Sequence, residues 1–266
     1  MAKLGAFLRR DLQIALSYRI SFAASLVTVL LGLTSMNFVA KFVNSGNSPA
    51  LQDYGADYFA NALVGLSIVL FVQAVAGLFP SAIRTAQQTG TLEVIMASRT
   101  SFATILTGSV LYGAAFALLR FVIVLTLGAF VFGADLTADQ APVTLLAFAL
   151  TVAAFSGIGI LGAAFVVLFK QSEPLTGGLI SLSLLLSGII YPTSVLPRSL
   201  QRLAEFLPLT HTATALRGTL IQGASGGSAT YELVILANFA LLLHLSLLVF
   251  NLAVVGATNR GSLGHY

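Results

Sequence analysis

Residues 140–169 read QAPVTLLAFALTVAAFSGIGILGAAFVVLF, a run without a charged side chain between Asp139 and Lys170. This run is longer than the roughly 20 apolar residues that cross the hydrocarbon core of a bilayer. Because lipid offers the backbone no hydrogen-bond partner, such a run has to satisfy its own amides as a helix. The run therefore predicts a transmembrane helix.

The composition extends this prediction to the whole chain. Of the 266 residues, 57% are hydrophobic and 8% are charged, whereas soluble domains carry roughly 25% charged residues. So few charges cannot cover a water-exposed surface. We therefore expect an all-α integral membrane protein in which residues 1–266 form a single transmembrane domain.

Charged residues divide the chain into several such runs. The fifth is interrupted by Gly188, Pro192 and Pro197. Each run is long enough to cross a bilayer core, so six membrane spans are predicted. They lie at about 20–40, 59–80, 101–132, 142–169, 174–193 and 232–258.

The distribution of Lys and Arg predicts the orientation, since cytoplasmic flanks carry the excess of basic residues. One alternating series of flanks holds Lys3, Arg9, Arg10, Arg19, Arg84, Arg99, Lys170 and Arg260, and the other holds only Lys41, Arg198, Arg202 and Arg217. Both termini are therefore predicted to lie in the cytoplasm. The predicted location is a bacterial-type cytoplasmic (inner) membrane.

Two segments on the cytoplasmic side differ from plain spans. Residues 1–19 have apolar residues at helical spacing with basic residues on the other faces, which predicts an amphipathic helix on the membrane surface. Its candidate site residues are Arg9, Arg10 and Asp11. The connection 81–100 is the largest cytoplasmic one and is the predicted docking place for a soluble partner. Its candidate contact residues are Arg84, Gln87, Gln88, Gly90, Thr91, Leu92, Glu93 and Met96.

Residues 194–228 combine leucines at helical spacing with arginines and prolines. We expect two short extracytoplasmic helices that re-enter the outer leaflet, because irregular backbone is tolerated there when protein or water covers it. Pro208 is expected to end the first helix. The second helix is predicted over residues 209–221.

Four of these features together resemble the membrane-spanning subunit of an ABC-2 type (type V) ABC exporter. They are the amphipathic N-terminal helix, the sequence QTGTLE at 88–93, the broken fifth span with SGIIYP at 187–192, and LPLTH at 207–211 followed by LRG at 216–218. They occur in the family's order along essentially the whole chain.

The resemblance implies a division of labour. Two permease subunits, identical or different, enclose a pathway in the lipid bilayer, and two separate cytoplasmic ATPase subunits bind ATP and Mg²⁺ and contact residues 84–96. It also implies a re-entrant gate region, with Pro192, Pro197, Pro208, His211 and Arg217 as its residues. The chain itself is then a transport subunit without catalytic residues or a bound cofactor. Amphipathic cargo is expected: a drug, lipid, glycolipid or polysaccharide.

Several other kinds of site are disfavoured by the residues themselves. The sequence has no Gly-x-x-x-x-Gly-Lys-Ser/Thr loop, so this chain is expected to bind no nucleotide. It has no cysteine, three histidines and no His-Glu-x-x-His, so a metal site is not expected. Its basic residues do not cluster as in a nucleic-acid-binding protein. The glycines at 157, 159 and 162 imitate a dinucleotide fingerprint, but inside an uncharged span they predict close helix packing.

Two other function classes stay open. An ion-coupled secondary transporter needs carboxylates within its spans, whereas the Asp and Glu residues here lie in predicted flanks or loops. A rhomboid-like intramembrane serine protease is suggested by Gly-Ala-Ser-Gly at 223–226 together with His244. Ser225, however, falls in a predicted loop, and His244 falls about three helical turns inside the next span.

Arg120 is the most costly residue of the chain. An arginine in the middle of a span costs roughly 2.5–3.5 kcal/mol on the insertion scale. Two interpretations stay open at this point. Arg120 lines the pathway and meets an acidic group of the cargo, or it forms a buried ion pair or snorkels to the surface.

Overall fold

The computed structural model describes residues 19–45, 58–90, 102–137, 139–169, 173–221 and 227–259. The helices are α1 Arg19–Ser45, α2 Tyr58–Gln88, α3 Phe102–Phe132, α4 Ala141–Phe169, α5 Glu173–Leu186, α6 Arg198–Ala204, α7 Pro208–Leu220 and α8 Gly227–Asn259. A short 3-10 turn, Thr193–Val195, separates α5 from α6. The described residues contain no strand, and the all-α fold class is confirmed.

Within the described ranges, four helices are long and apolar enough to cross a membrane. They are Tyr58–Gln88, Gly113–Phe132, Ala141–Phe169 and Thr230–Ala257. Two further apolar stretches, Val27–Val43 in α1 and Thr176–Leu186 in α5, are shorter. The chain is therefore a multi-pass membrane protein, while the count of six spans stays a prediction.

Helices α2 and α4 form the centre of the bundle. In each of them 61% of the most apolar stretch is buried, against 28% in α3 and 18% in α8. Three aromatic rings join α2, α3 and α4: Phe121 and Phe148 meet edge to face at 4.5 Å between centroids, and Phe71 and Phe148 at 5.2 Å. Helix α8 packs along α4 on the other side. The core thus lies between α2 and α4, and the outer helices expose apolar faces.

The contact between α2 and α4 depends on a proline and a glycine. Pro80 lies inside α2 and cannot donate to the carbonyl four residues earlier, that of Ala76. A Cβ atom added at Gly159 of α4 would lie 2.8 Å from this carbonyl oxygen. At Gly162, an added Cβ would lie 3.0 Å from Cγ of Pro80. The prediction that these glycines allow close helix packing is confirmed.

Replacing Gly159 with alanine is expected to destabilise the protein by about 1–3 kcal/mol, the usual cost of overpacking a filled core. The clash is with backbone, which cannot rotate away as a flexible side chain does. Gly77 of α2 is the matched control, because no atom lies within 4 Å of the position that a Cβ would take there. Gly77→Ala is expected to be neutral or to stabilise by up to about 1 kcal/mol through helix propensity. Thermal unfolding of the purified chain, followed by circular dichroism, measures both, and equal stability of the two variants would contradict this packing.

Some predicted features lie outside the described residues. The predicted N-terminal interfacial helix includes Arg9, Arg10 and Asp11. It lies outside the described residues except for its last residue, Arg19. The second half of the docking connection is another, namely Thr91, Leu92, Glu93 and Met96. Ser225 is also outside. All of these stay predictions.

Candidate functional site

The region after α5 departs most from regular structure. Helix α5 ends at Leu186, ahead of the break that was expected near Pro192, because the chain turns at Gly188 with φ +73°. Only glycine adopts this left-handed conformation without strain. The hydroxyl of Tyr191 donates a hydrogen bond back to the carbonyl of Leu185, which ties the turn to the last turn of α5. We call residues 187–221 the junction.

Each proline of the junction starts a helical element. The carbonyl of Pro192 accepts from the amide of Val195 at 3.1 Å, and that of Pro197 accepts from Leu200 at 2.9 Å. Pro208 occupies the first turn of α7, where the missing amide is not needed. The expectation that Pro208 ends the first short helix is therefore wrong. Helix α6 already ends at Ala204, and Pro208 opens the next helix instead.

Arg217 of α7 bonds to backbone on two other elements. Nη1 donates to the carbonyl of Gly188 at 2.8 Å, and Nη2 donates to that of Ile189 at 3.0 Å. Nη2 also donates to the carbonyl of Asn61, in the first turn of α2, at 3.3 Å. The carbonyls beyond a helix end have no partner within the helix, and bonds from a charged donor are the strong ones. Arg217 thus fastens the unwound backbone after α5 to α7 and to the start of α2.

Gly65 of α2 makes room for this arrangement. A Cβ atom at Gly65 would lie 3.0 Å from Nη2 of Arg217 and 3.3 Å from the carbonyl oxygen of Ile189. Any side chain at this position would crowd the guanidinium group against its acceptors. Gly65 was not singled out by the sequence, because a glycine within an apolar run has no local signal for what it faces.

His211 of α7 pairs with an acidic residue of α8. Its Nδ1 lies 2.6 Å from Oε2 of Glu232, and its Nε2 lies 2.8 Å from the carbonyl oxygen of Glu205. Both neighbours are acceptors, so both ring nitrogens donate only when the imidazole is protonated. The two side chains are 8% and 14% exposed. Burial by itself lowers the pKa of His211, but the hydrogen bonds to Glu232 and Glu205 outweigh burial and raise the pKa above its ordinary value.

Helix α7 is also held from other sides. The hydroxyls of Thr212 and Thr151 of α4 are 3.2 Å apart in the fully buried core. The amide of Thr137, after α3, donates to the carbonyl of Leu220 at 2.7 Å, an end carbonyl of α7. Together with Arg217 and His211, these contacts join α7 to nearly every neighbouring element of the bundle.

A polar groove lies beside Arg217, between the end of α5 and α7. It has a volume of about 200 Å³. Most of its lining side chains carry hydroxyls, and the polar ones are Ser187, Thr193, Ser194, Thr210, Thr214 and Arg217. Gly188 and Pro192 complete the wall. The groove brings together gate residues Pro192 and Arg217, whereas Pro197, Pro208 and His211 do not line it.

The described part of the docking connection lies at the opposite end of α2. Arg84 and Gln88 are exposed, while Gln87 is only 5% exposed. Helix α2 ends with a bond from the amide of Gly90 to the carbonyl of Gln87 at 3.0 Å, and Gly90 has φ +66°. At about 1.5 Å per residue, Asn61 and Gln88 are roughly 40 Å apart along α2. One helix therefore connects the junction with the start of the docking connection. We call residues 84–90 the coupling end.

Arg120 lies on the outer face of α3. Its guanidinium carbon is 5.8 Å from the ring centre of Phe116, within range of a cation–π contact. The side chain is exposed, whereas its neighbours Ala117, Phe121 and Val124 face the core. Among the described residues no carboxylate forms an ion pair with Arg120. Within the described part of the chain Arg120 is thus exposed without a carboxylate partner, and both interpretations of this residue stay predictions.

One comparison with known proteins identifies a family. No curated protein matches the chain significantly. The described residues contain no group of three or more His, Asp or Glu side chains that would hold a metal ion. A family model described as ABC-2 type transporter matches residues 3–221, which is most of the chain. The chain thus belongs to the ABC-2 type transporter family and is a membrane-spanning permease subunit of an ABC transporter.

Proposed function

We propose that the chain is one half of an ATP-driven exporter, in which two permease subunits work with two separate cytoplasmic ATPase subunits. The family match over residues 3–221 carries this proposal. The absence of a phosphate-binding loop from residues 1–266 agrees with ATP hydrolysis on separate subunits. In this proposal both termini and the coupling end face the cytoplasm, and the junction faces outward.

The length of α2 supports a mechanical role for the coupling end. The helix has 31 residues and therefore measures about 46 Å, against about 30 Å for the hydrocarbon core. Its end projects beyond the core and turns at Gly90. An ATPase that holds residues 84–96 can tilt α2, and the tilt reaches Arg217 through the carbonyl of Asn61.

The outer surface supports a pathway shared between subunits. Large apolar side chains are exposed along α1 and α8, for instance Phe42 at 79% and Leu252 at 73%, and these suit lipid or a second permease subunit. Arg120 is a cation in the middle of an otherwise apolar helix and faces away from its own core. This placement supports the interpretation that it lines the pathway between two subunits.

One observation favours an ion-coupled secondary transporter as the alternative. The sequence places Glu232 in a flank, and in the structure it lies in the first turn of the apolar stretch Thr230–Ala257, at the edge of the predicted sixth span. A carboxylate inside a span is the usual element of ion coupling. Glu232 is, however, bonded to His211 at 2.6 Å, and this pairing accounts for it structurally.

Capture of the chain from its native membranes separates the two functions. The full chain, carrying an affinity tag, is extracted in mild detergent, and the proteins that stay bound are identified by mass spectrometry. An ABC ATPase is expected in about equal amount. Recovery of the chain without any ATPase, together with uptake driven by an ion gradient in proteoliposomes, would support the alternative and contradict the exporter.

A further inference from the structure

Two threonines in the lining of the groove between α5 and α7 donate their hydroxyl protons to backbone carbonyls. The hydroxyl of Thr210 donates to the carbonyl of Ala204 at 2.7 Å, and that of Thr214 donates to the carbonyl of Thr210 at 3.0 Å. A hydroxyl has one proton and two acceptor lone pairs. Because these protons are already used, the oxygens of Thr210 and Thr214 have only acceptor capacity left for a ligand.

Arg217 is already engaged with backbone acceptors on the groove side of α7. Its guanidinium group donates to the carbonyls of Gly188, Ile189 and Asn61. These bonds use three of the five N–H donors of a guanidinium group, so an acceptor group of a ligand can also bond to Arg217. A phosphate in the groove would, however, approach the lone pairs of Thr210 and Thr214, to which it cannot donate. A hydroxyl both donates and accepts. A ligand that donates hydrogen bonds suits the lining better, and hydroxyl groups are such donors.

The size of the groove limits how much of a ligand it can cover. The groove is open and has a volume of about 200 Å³, so it would hold only one small unit of a larger ligand. Pockets for drug-sized ligands are larger, about 300–1,000 Å³. The ring of Pro192 gives one apolar wall among the hydroxyls. A small, polyhydroxylated unit with an apolar C–H face fits both the size and the lining.

We propose that this groove binds one sugar or polyol unit, either free or as the head group of a lipid. The proposal rests on the proposed function in one respect only, namely that the bound unit is part of the cargo and reaches the groove on the outer side of the membrane. Binding itself requires neither an ATPase nor a second subunit.

The test uses the purified full-length chain in a detergent without a sugar head group. Saturation-transfer NMR measures binding of glycerol and of the methyl glycosides of glucose, galactose, mannose, rhamnose and N-acetylglucosamine. Thr214→Val keeps the side-chain shape and removes the acceptor. It is expected to weaken binding of at least one probe about fivefold, the effect of one ordinary hydrogen bond.

Thr126 provides the matched control. Its hydroxyl also bonds to the carbonyl four residues earlier, that of Val122 at 2.7 Å, on the exposed face of α3. Thr126→Val is expected to leave binding unchanged. Thr193→Val, on the opposite wall of the groove, is a second variant in case Thr214→Val fails to fold by circular dichroism.

A further comparison shows whether the bound unit is a free sugar or the head group of a lipid. Tighter binding of a short-chain alkyl glycoside than of its methyl glycoside identifies a lipid head group, and equal binding identifies a free sugar. The proposal is overturned if no probe binds the wild-type chain, if both groove variants bind as the wild type does, or if inorganic phosphate binds in the groove and no sugar does. The ATPase capture described above is independent of each of these results.

Discussion

Replacing Arg217 with methionine is expected to lower the unfolding free energy by about 2–4 kcal/mol. A hydrogen bond from a charged donor contributes about 1.5–3 kcal/mol. The bonds to Gly188, Ile189 and Asn61 come from one guanidinium group, so their contributions overlap and do not simply add. For a chain of this size the expected decrease of the Tm is about 5–15 °C. The stability of Arg217→Lys should lie between those of the wild type and Arg217→Met, because one ammonium group cannot reproduce the planar arrangement of donors in a guanidinium group. Thermal unfolding in detergent gives all three values.

Two further variants make this prediction specific. Arg202→Met removes an exposed arginine from the last turn of α6 and should change stability by no more than about 0.5 kcal/mol. Gly65→Ala leaves every charge in place and crowds Nη2 of Arg217. It should therefore reproduce part of the loss. Equal stability of Arg217→Met and Arg202→Met would show that Arg217 does not fasten the junction.

Breaking the pair of His211 and Glu232 is expected to cost about 3 kcal/mol. Removal of one member of a buried pair costs about 3–5 kcal/mol, and the lower end applies because Glu232 is 14% exposed. His211→Leu and Glu232→Leu should each be destabilising, whereas the double variant should be less destabilised than the sum of the single ones. His244→Ala, an exposed site on α8, is the control. Additive losses in the double variant would mean that the two side chains do not interact.

The same pair gives the stability a defined pH dependence. The pKa of His211 is raised in the folded chain, so protonated His211 is stabilised by folding. This contribution is complete below the ordinary pKa of histidine, about 6.5, and is lost as the pH rises through the raised pKa of the folded state. The stability difference between wild type and Glu232→Leu should therefore be larger at pH 6 than at pH 9. A difference that is constant over this range would contradict a protonated His211.

Much of the architecture was predictable because the backbone of a segment in lipid must satisfy its own hydrogen bonds. Uncharged runs must be helical, and α2, α3, α4 and α8 lie where the sequence predicts spans. Gly188 and the prolines at 192 and 197 indicated irregular backbone after the fifth helix, and the structure has it there. The end at Leu186 was not predictable from proline positions, because the turn at Gly188 depends on a backbone angle.

The partners of the site residues were not predictable. The family resemblance points to Arg217 and His211 as gate residues, but Arg217 bonds to backbone carbonyls, which have no sequence signature. Glu232 is 21 positions from His211 in the sequence. Its place beside an apolar run predicts only the end of a span and gives no sign of a histidine partner. Arg120 could be recognised as costly from its position. Only the packing of α3 shows that it faces outward.

Charge reversal at Glu93 tests the central claim, coupling to a separate ATPase, most directly. The captured complex of permease and ATPase is reconstituted in proteoliposomes, and retained ATPase is measured for wild type, Glu93→Arg and Asp139→Arg. Asp139 is the matched control, because it is exposed and lies beside the contact of Thr137 with α7, at the junction end of the bundle. Like charges at an interface cost several kcal/mol, so Glu93→Arg should weaken ATPase binding more than tenfold while Asp139→Arg leaves it unchanged. Equal retention of the ATPase by both variants would contradict coupling through residues 84–96.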